Sequence, residues 1–550
     1  MLNHPHLPLL PVAAAVLLWG AVSTAWAQNV PNAGQLLEES RRAPPTLPAP
    51  PLQRLIEPPQ RPGISMAAGV TVLVSEFRIS GAVSFPSDTL AAIVKPWVGR
   101  RLDFKGLNEA AAALTRHYQA NGHLLSYAYL PAQKVADGVI ELAVLEGRLE
   151  NVQIVTAQDV RLRDSVIQQS TDPLTAGGPL LQSAVERRLL LLNDIPGVTA
   201  RAAFTPGATT GGAEMIVTVA EDEPLDFRAD FSNHGSKSTG IYRTGLTLQF
   251  KDLFGAGDHT TARAIVSDRG SLVSGSLGTT VPVGGDGWKF GASLSRLRYQ
   301  LAGDFRRLGA SGRADSMGLD ASFPLRRTPD NNVYLRAGAD LKRLQDDLEI
   351  LGESTAKRNR TAEVGLSYDL RDGWGGAATG GATATLGKLR VNSGAESEWR
   401  KLVIQWARQQ SLPAGFSLYT RLSAQAAGNT LDSSEKLGLA GANAVRAYAS
   451  GELSVDQGSL LALELRYAMD FTGGNVVGSV FHDVGRGQIQ RALAGQPGNQ
   501  REIHGTGFGL SWTGAGYGIN ASLAWRGSRV STVDGSDPRP RFFVQFLMNP

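Results

Sequence analysis

From about Leu225 to the C-terminus, hydrophobic and polar residues alternate with a period of two. Between Val333 and Lys342 the odd-numbered positions are Val, Leu, Ala, Ala and Leu, while the even-numbered positions include Tyr, Arg, Asp and Lys. The same alternation occurs in Tyr242 to Phe250, Phe416 to Gln425, Leu461 to Tyr467 and Tyr517 to Arg526. Such segments, separated by glycine-rich turns, are typical of membrane barrels with one face toward lipid and the other toward a wet lumen. The pattern predicts a transmembrane antiparallel β-barrel of about 16 strands over residues 224–550, in preference to a soluble β-domain.

Residues 70–223 have a different pattern, in which strand-like and helix-like segments follow one another. Gly138 to Leu145 alternates like a strand, and Leu107 to Ala120 has the spacing of an amphipathic helix. A second unit repeats this order, with a helix-like segment from Leu181 to Leu192. The pattern predicts two α+β domains of the β-α-α-β type, at residues 70–148 and 149–223. One face of the first helix carries Leu107, Ala110, Ala111, Leu114 and Tyr118, which we interpret as core residues.

The N-terminal 69 residues predict three short segments. An apolar stretch from Leu7 to Val22, followed by Ala25-Trp26-Ala27, predicts a secretory signal peptide over residues 1–27, with a short membrane anchor as the alternative. Residues 28–43 contain a short candidate helix, and residues 44–69 contain a tract crowded with prolines that favours an extended linker. The protein is therefore expected to be exported, with a helix tethered ahead of its folded domains.

Composition narrows the possible functions. The chain has no cysteine, which excludes disulfides, thiol catalysis and thiolate metal sites. Its net charge of +4 gives no reason to propose a nucleic-acid partner. The sequence has no G-x-S-x-G or H-E-x-x-H motif and no carboxylate pair in a recognisable frame. We therefore expect no enzymatic activity, no metal and no cofactor.

Motifs in the C-terminal half resemble those of two-partner secretion transporters (TpsB), the haemolysin and filamentous-haemagglutinin secretion-activation family of outer-membrane proteins. The segment Val445-Arg446-Ala447-Tyr448 resembles the tip of the family's long sixth loop, expected here at about residues 436–460. The family's F-x-D-x-G strand motif is matched by Phe481, Asp483 and Gly485.

Motifs in the N-terminal half follow the same family order. Leu130 to Gln133, together with Glu146 to Arg148, is similar to the first POTRA domain of the family, and Leu191 to Val198 is similar to the second. The segment PNAGQLLEE resembles the plug helix, and the plug residues assigned from this resemblance are Gly34, Gln35, Leu36 and Leu37.

Three positions depart from the family pattern. Ala440 stands where a glycine pair is usual, and Ala449 stands where proline is common. The chain ends at Phe546-Leu547-Met548-Asn549-Pro550 rather than on a terminal aromatic residue. The resemblance therefore leaves the end of the last strand undefined.

The resemblance implies an outer-membrane pore with its POTRA domains in the periplasm and one barrel per protein. Its partner would be a large exoprotein of the adhesin or haemolysin type, recognised unfolded by the POTRA domains and exported without ATP. A barrel-assembly factor of the same superfamily and a diffusion porin are the alternatives. The plug helix and proline tract at residues 31–62 favour the transporter over the assembly factor, and residues 70–222 argue against a porin.

Arg446 and Asp483 are the candidate ion pair of this pore. Asp483 shares one strand face with Phe481, and an acidic residue on a barrel strand is expected to face the lumen because a charge against lipid is costly. His482 is on the opposite face and is expected to point outward. An arginine folded into the lumen with the loop would form a two-pronged pair with this carboxylate. The alternative is that each charge is solvated separately. The expected role of the pair is to hold the loop in its secretion-competent position.

Overall fold

The computed structural model describes residues 30–42, 45–48, 55–56, 71–175, 180–471, 473–527 and 539–549. The predicted signal peptide and most of the predicted linker lie outside these ranges. The described part comprises an N-terminal helix, α1 (Ala33–Arg41), two α/β units and a closed barrel. No described helix is long and apolar enough to cross a membrane.

The first α/β unit is a three-stranded sheet covered by two helices. Its elements are β1 (Thr71–Leu73), β2 (Glu76–Ser80), α2 (Ser87–Val94), β3 (Arg101–Asp103), α3 (Phe104–Ala120), β4 (Tyr127–Tyr129) and β5 (Val139–Leu145). The sheet has the order β2-β5-β4, with β2 parallel to β5. The side chains buried by α3 are Leu107, Ala110, Ala111, Leu114 and Tyr118, so the predicted helix and its core face are confirmed.

The second unit repeats this architecture. Its elements are β6 (Arg148–Thr156), α4 (Asp164–Thr171), α5 (Gln182–Asn193), β7 (Val198–Pro206) and β8 (Gly212–Glu221), with sheet order β6-β8-β7. The three-stranded sheet of each unit thus has one more strand than the predicted β-α-α-β pattern, and the first unit also has a two-stranded sheet, β1-β3. In the first unit the additional strand, β4, has only 3 residues, which is too short to show a period. In the second unit two of the three buried positions of β7 are the alanines Ala200 and Ala202, which give a weak apolar signal.

The barrel is closed and antiparallel, and the predicted 16 strands are confirmed. Its strands are β9 (Leu225–Ser232), β10 (Arg243–Lys251), β11 (His259–Ser267), β12 (Leu272–Val283), β13 (Trp288–Gln300), β14 (Ala310–Arg326), β15 (Asn331–Leu348), β16 (Glu353–Arg371), β17 (Gly376–Val391), β18 (Glu396–Ser411), β19 (Phe416–Ala427), β22 (Gln457–Phe471), β23 (Gly474–Gln488), β24 (Gln500–Thr513), β25 (Tyr517–Arg526) and β26 (Arg541–Met548). The two remaining strands, β20 (Leu437–Gly438) and β21 (Ser454–Val455), form a hairpin inside one loop.

Side chains alternate between the lumen and the outer surface along the barrel strands. On β23, Phe481 and Asp483 are buried toward the lumen, whereas Val480 is 49% exposed on the other face. His482 is also on the outer face, where its Nδ1 lies 2.8 Å from the Thr506 hydroxyl. Asp483 and His482 therefore face the sides that the two-residue alternation predicts.

Closure of the barrel depends on a short seam between the last and first strands. Gln545 to Met548 pair with Ser232 to Ala229, and β26 ends at Met548. The side chain of Asn233 extends the seam, because its amide accepts from the Val544 N–H at 2.8 Å and donates to the Phe542 carbonyl at 3.0 Å. The structure thus defines the end of the final strand despite the atypical C-terminus.

The second unit is attached to the turns at one end of the barrel, which we call the near end. Asp194, directly after α5, forms a two-pronged ion pair with Arg327, at 2.7 and 2.9 Å. Its backbone carbonyl also accepts from Lys289 Nζ at 2.7 Å. A more exposed contact joins Arg188 to Asp286 at 3.0 Å. Asp194 belongs to the motif at Leu191 to Val198, so part of that motif serves to attach the unit to the barrel.

We predict that Asp194→Ala weakens this attachment. The substitution leaves the mostly buried Arg327 guanidinium without its carboxylate, a loss that costs about 2 kcal/mol or more at interfaces. Hydrogen exchange of α5 in the intact protein should then be at least about tenfold faster, since tenfold corresponds to about 1.4 kcal/mol. Asp286→Ala is the matched control, because its side chain is 71% exposed and its pair with Arg188 contributes little. Equal exchange in the two variants would contradict the prediction.

Candidate functional site in the barrel lumen

The connection between β19 and β22, residues 428–456, folds back into the barrel. The predicted range of 436–460 begins too late and includes the start of β22, because the first arm of the loop has no apolar signal that separates it from a turn. Its tip is fully enclosed, with Val445 and Tyr448 both 0% exposed. The tip packs on lumenal side chains of the wall such as Phe481 and Ile503.

The structure brings the two predicted charged residues together. Arg446 donates from Nε to Asp483 Oδ2 at 2.8 Å and from Nη2 to Oδ1 at 2.7 Å. The backbone N–H of Arg446 also donates to Asp483 Oδ2, at 3.1 Å. The guanidinium lies 3.4 Å from the centroid of the Phe481 ring, which adds a cation–π contact. Asp483 is 0% exposed, so this arginine is the cation that compensates a fully buried charge.

A second acidic residue, Glu464 on β22, completes this site and is absent from the sequence prediction. Its Oε1 lies 2.7 Å from Arg446 Nη1, and its Oε2 lies 2.6 Å from Arg466 Nη2. Arg466 in turn stacks on the Tyr419 ring at 3.9 Å. Glu464 alternates with the outward-facing Leu463 and Leu465, so the same period-two argument that places Asp483 in the lumen could have identified it.

The motif glycine Gly485 lets the loop tip approach the barrel wall. A Cβ added there would lie 3.1 Å from Val445 Cγ2 and 3.2 Å from Leu439 Cβ. At the neighbouring Gly505 a Cβ would lie only 2.5 Å from the Ala447 Cβ. The side chains of the loop tip and the glycines of the wall are therefore complementary in size. The two departures from the family pattern, Ala440 and Ala449, are small buried residues within the same packed region.

A second set of ion pairs holds the first arm of the loop to a different part of the wall. Glu435 is buried and forms ion pairs with two lysines. Its Oε1 lies 2.6 Å from Lys342 Nζ, and its Oε2 lies 2.8 Å from Lys401 Nζ. Asp432, which is also buried, forms an ion pair with Lys357, whose Nζ lies 2.9 Å from Asp432 Oδ2. These lysines lie on β15, β16 and β18, whereas Asp483 and Glu464 lie on β22 and β23. The loop is therefore fixed to two separate groups of barrel strands, β15 to β18 and β22 to β23.

Helix α1, which contains all four predicted plug residues, lies in the lumen. Leu36 and Leu37 are each 2% exposed and belong to one apolar cluster with Leu297, Tyr299 and Leu344 of the wall. Asn32 caps the helix by accepting from the Gln35 N–H at 3.1 Å. A further link to the wall comes from Glu39, which pairs with Arg243 at 3.0 Å.

The helix also contacts the long loop directly. Gln35 Nε2 donates to the Gly451 carbonyl at 2.9 Å, and Arg42 donates to the Gly438 carbonyl at 2.9 Å. Gly34 faces the first arm, where a Cβ would lie 2.4 Å from Ser433 Oγ and 2.8 Å from the Ser434 nitrogen. Glycine is therefore required at position 34 by close approach. The helix, the loop and the wall together form one obstruction of the lumen.

In the first α/β unit, the motif residue Glu146 joins separate parts of the domain through hydrogen bonds. It accepts from the backbone N–H groups of Val83 and Ser84, at 2.8 and 2.7 Å, and from the Tyr118 hydroxyl at 2.9 Å. The other motif residue, Gln133, pairs its side-chain amide with both backbone groups of Glu141, at 2.7 and 2.8 Å. Burial opposes ionisation of Glu146, but the hydrogen bonds outweigh it and hold the pKa of this carboxyl below its usual value.

Glu146 should make the first unit sensitive to acid. Because its pKa is lowered in the folded state, its contribution is complete above the unfolded pKa of about 4.3 and is lost as the pH falls through the lower folded value. Below about pH 4.3, the protection of α3 in the intact protein, measured by hydrogen exchange and corrected for the intrinsic exchange rate at each pH, should therefore fall, and Glu146→Gln should abolish this acid-dependent loss. Glu76→Gln, at an exposed position of β2, is the control. An unchanged acid dependence in Glu146→Gln would contradict the prediction.

Comparison with known proteins agrees with this arrangement. Residues 211–512 match the family model of the haemolysin secretion/activation protein ShlB/FhaC/HecB, and residues 72–147 match the ShlB-type POTRA domain. The chain is 26% identical over 458 residues to the heme/hemopexin transporter protein HuxB of Haemophilus influenzae strain 86-028NP, which covers 80% of each chain. It is 25% identical over 428 residues to the outer membrane transporter CdiB of Escherichia coli, which covers 73% of this chain and 70% of CdiB. The solved structure of CdiB from Escherichia coli has the same fold, with a TM-score of 0.70 and 21% identity over 98% of each chain.

The family match covers more than half of the chain and includes both the loop tip at Val445 to Tyr448 and the β23 motif. Members of this family are transporters, and their barrels lie in the outer membrane with the POTRA domains in the periplasm. The near end of the barrel, to which the second unit is attached, is therefore the periplasmic end. The chain belongs to the haemolysin secretion/activation family ShlB/FhaC/HecB, the outer-membrane transporters of two-partner secretion.

Proposed function

We propose that this protein is the outer-membrane pore through which a large TpsA-type exoprotein, an adhesin or haemolysin, leaves the cell. The observation that carries the proposal is the obstructed lumen: α1 and the loop at residues 428–456 fill a barrel with α/β units at its periplasmic end. Both obstructing parts are joined to the wall by side-chain contacts that can be broken and remade. A pore of this kind is closed at rest and opens when a client displaces the plug helix α1, while the loop stays anchored to the wall.

The two α/β units present the client to the pore. The first matches the POTRA family, and we assign the second, residues 149–223, to the same class because it repeats the strand order. Strands β4 and β7 are edge strands of their sheets. An unfolded client can add a strand to such an edge through main-chain hydrogen bonds, which tolerate many sequences. We accordingly propose domains at 28–43 (plug), 44–69 (linker), 70–148, 149–223 and 224–550 (barrel).

The ionic site at the loop tip holds the loop in its secretion-competent position. Arg446 connects the loop to Asp483 and Glu464 on two adjacent strands, and the pair is enclosed by the packed loop tip. This protein carries out no chemical reaction in the proposal. Transport is passive, and the client is drawn outward as it folds at the cell surface.

The proposal is tested by coexpressing the protein with the candidate exoprotein from its own gene neighbourhood. We expect the exoprotein to appear in the medium or on the cell surface only when the transporter is present. The competing function, assembly of other barrels, predicts a different result. Deleting the transporter would then lower the amounts of unrelated outer-membrane barrels, and the exoprotein would stay in the periplasm in both strains.

A further inference from the structure

The outer face of the barrel changes abruptly from apolar to charged on six adjacent strands, β13 to β18. On β13 the last apolar outward position is Leu294, and the next two outward positions toward the cell surface are Arg296 and Arg298. On β15 the corresponding change occurs between Leu341 and Arg343. On the six strands, the apolar side chains that directly precede the charged positions are Leu294, Met317, Leu341, Ala362, Leu386 and Leu402.

This boundary follows the membrane plane rather than the strand register. Leu294, Met317 and Leu341 lie in one cross-strand row, but that row continues into Arg360 on β16. Relative to this row, the boundary between apolar and charged side chains therefore lies one outward position closer to the periplasm on β16. On β18 it lies one further position closer. Strands of membrane barrels are tilted by about 35–45°, so a level boundary must step across the register in this way. The charged positions therefore lie at the level of the outer lipid headgroups.

Most of these outer positions are basic. We define the basic belt as the first two outward positions beyond the apolar edge on each of the six strands; nine of the twelve are Arg or Lys, and two are acidic. The nine cations are Arg296, Arg298, Arg313, Arg343, Arg358, Arg360, Lys388, Arg390 and Arg400, and all nine are exposed.

The belt places like charges directly opposite one another. Arg298 pairs with Arg313 across β13 and β14, and Arg358 stands between Arg343 and Arg390 on the neighbouring strands. Like charges in opposed positions of a sheet destabilise it. Within the described residues, ion pairs neutralise only three of the cations, Arg296, Lys388 and Arg390. The remaining six cations need an external anion to offset their repulsion.

The rest of the outer rim has a different composition. On β10 to β12 the corresponding outward row is Thr244, Val266 and Val273, which carries no charge. Beyond β19 and β22, Arg486 of β23 stands directly across from an acidic residue, Glu502 of β24. The basic belt is therefore a localised patch on one side of the barrel and not a general property of its rim.

We propose that the basic belt binds the phosphate groups of the glycolipid headgroups in the outer leaflet. An arginine fork matches two oxygens of a phosphate, and rows of guanidinium groups on adjacent strands suit a headgroup that carries more than one phosphate. The level of the belt, directly above the apolar band, places it against headgroups and not against the solvated loops. A bound polyanion would offset the cross-strand repulsion and fix the orientation of this side of the barrel in the membrane.

The test uses the intact protein purified in detergent, with binding of purified lipopolysaccharide measured by native mass spectrometry. The variant is Arg313→Gln/Arg343→Gln/Arg358→Gln. The matched control is Arg486→Gln/Arg491→Gln/Arg501→Gln, which removes the same charge at the same end of the barrel but outside the six belt strands. We expect at least about tenfold weaker binding for the belt variant and for wild type with dephosphorylated lipopolysaccharide, since hydrogen bonds to charged groups are individually strong. The control should bind as wild type does.

Three results would overturn the proposal. The first is equal binding by the belt variant and wild type, and the second is equal loss in the control variant. The third is equally tight binding of phosphatidylglycerol vesicles by wild type, which would indicate a general preference for anionic surfaces. If the triple variant does not form a heat-modifiable barrel, Arg343→Gln alone is compared with Arg486→Gln. Secretion is not the readout, so failure here is distinguishable from failure of the proposed transport function.

Discussion

Replacing Arg446 with alanine is expected to stop secretion of the exoprotein while the barrel still folds. The substitution leaves Asp483, which is 0% exposed, without the cation that compensates it. Removing one partner of a buried ion pair typically costs about 3–5 kcal/mol. If that cost falls on the state with the loop inside the barrel, the equilibrium moves against that state by a factor of more than about 100. Exoprotein in the medium should fall by at least about tenfold.

The expected loss concerns loop position and not barrel stability. Strands β22 and β23, which carry Glu464 and Asp483, are joined by 15 residue pairs that do not depend on the loop. Arg446→Ala should therefore keep its heat-modifiability and its amount in the outer membrane. A variant that secretes normally, or one that fails to form a folded barrel, would contradict this account of the ion pair.

Two further variants separate the charge of Arg446 from its shape. Arg446→Lys keeps the charge but cannot contact both oxygens of Asp483 and also Glu464, so we expect secretion between that of wild type and alanine. The matched control is Arg336→Ala, which removes another lumenal arginine whose side chain bonds to Ser367 at 3.0 Å. Secretion by the control should match wild type. An equal loss in the control would mean that lumenal positive charge in general, and not this ion pair, supports transport.

The sequence predicts those features of this pore that depend on local periodicity. Lipid faces one side of each strand and water the other, so the alternation gives both the barrel and the lumenal orientation of Asp483. Glu464 follows the same rule, and it escaped prediction only because no motif drew attention to it. Periodicity alone did not predict the interaction between Arg446 and Asp483, because a loop that folds into the lumen has no regular hydrophobic pattern. Only the family resemblance suggested this ion pair.

Contacts between distant segments could not be predicted in the same way. Glu435 meets Lys342 and Lys401, residues 93 and 34 positions away, because the register of β15 and β18 brings them to the same level of the lumen. Nothing in the local pattern around Glu435 indicates that register. The helix at residues 33–41 was predictable from its cap and its apolar residues, but its seat on Ser433 depends on how the loop folds. Local patterns thus predict individual helices and strands, whereas the position of the plug helix against Ser433 depends on how the whole lumen is assembled.

Gly34→Leu, which changes the close contact between α1 and the first arm of the loop, should open the channel. This is the second large expected effect. Leucine favours a helix more than glycine does, by about 0.8–1.0 kcal/mol, so the helix itself should persist. Its side chain, however, has no room, because even a Cβ at position 34 would lie 2.4 Å from Ser433 Oγ and 2.8 Å from the Ser434 nitrogen. Overpacking of this kind costs about 1–3 kcal/mol, which shifts the balance toward the displaced plug by a factor of about 5 to 150. Single-channel conductance in planar bilayers should show a matching rise in the open fraction.

Glu38→Leu is the matched control for this prediction, because it places the same side chain on the same helix where the native side chain is 35% exposed. Its conductance should match wild type, since Leu36 and Leu37 keep their contacts with the wall. Closed channels in Gly34→Leu would show that the seat on Ser433 does not retain the helix. Open channels in both variants would mean that any added bulk on the helix displaces it. Opening confined to Gly34→Leu would identify the contact between α1 and the first arm of the loop as the closure, and client binding would then have to break that contact before transport begins.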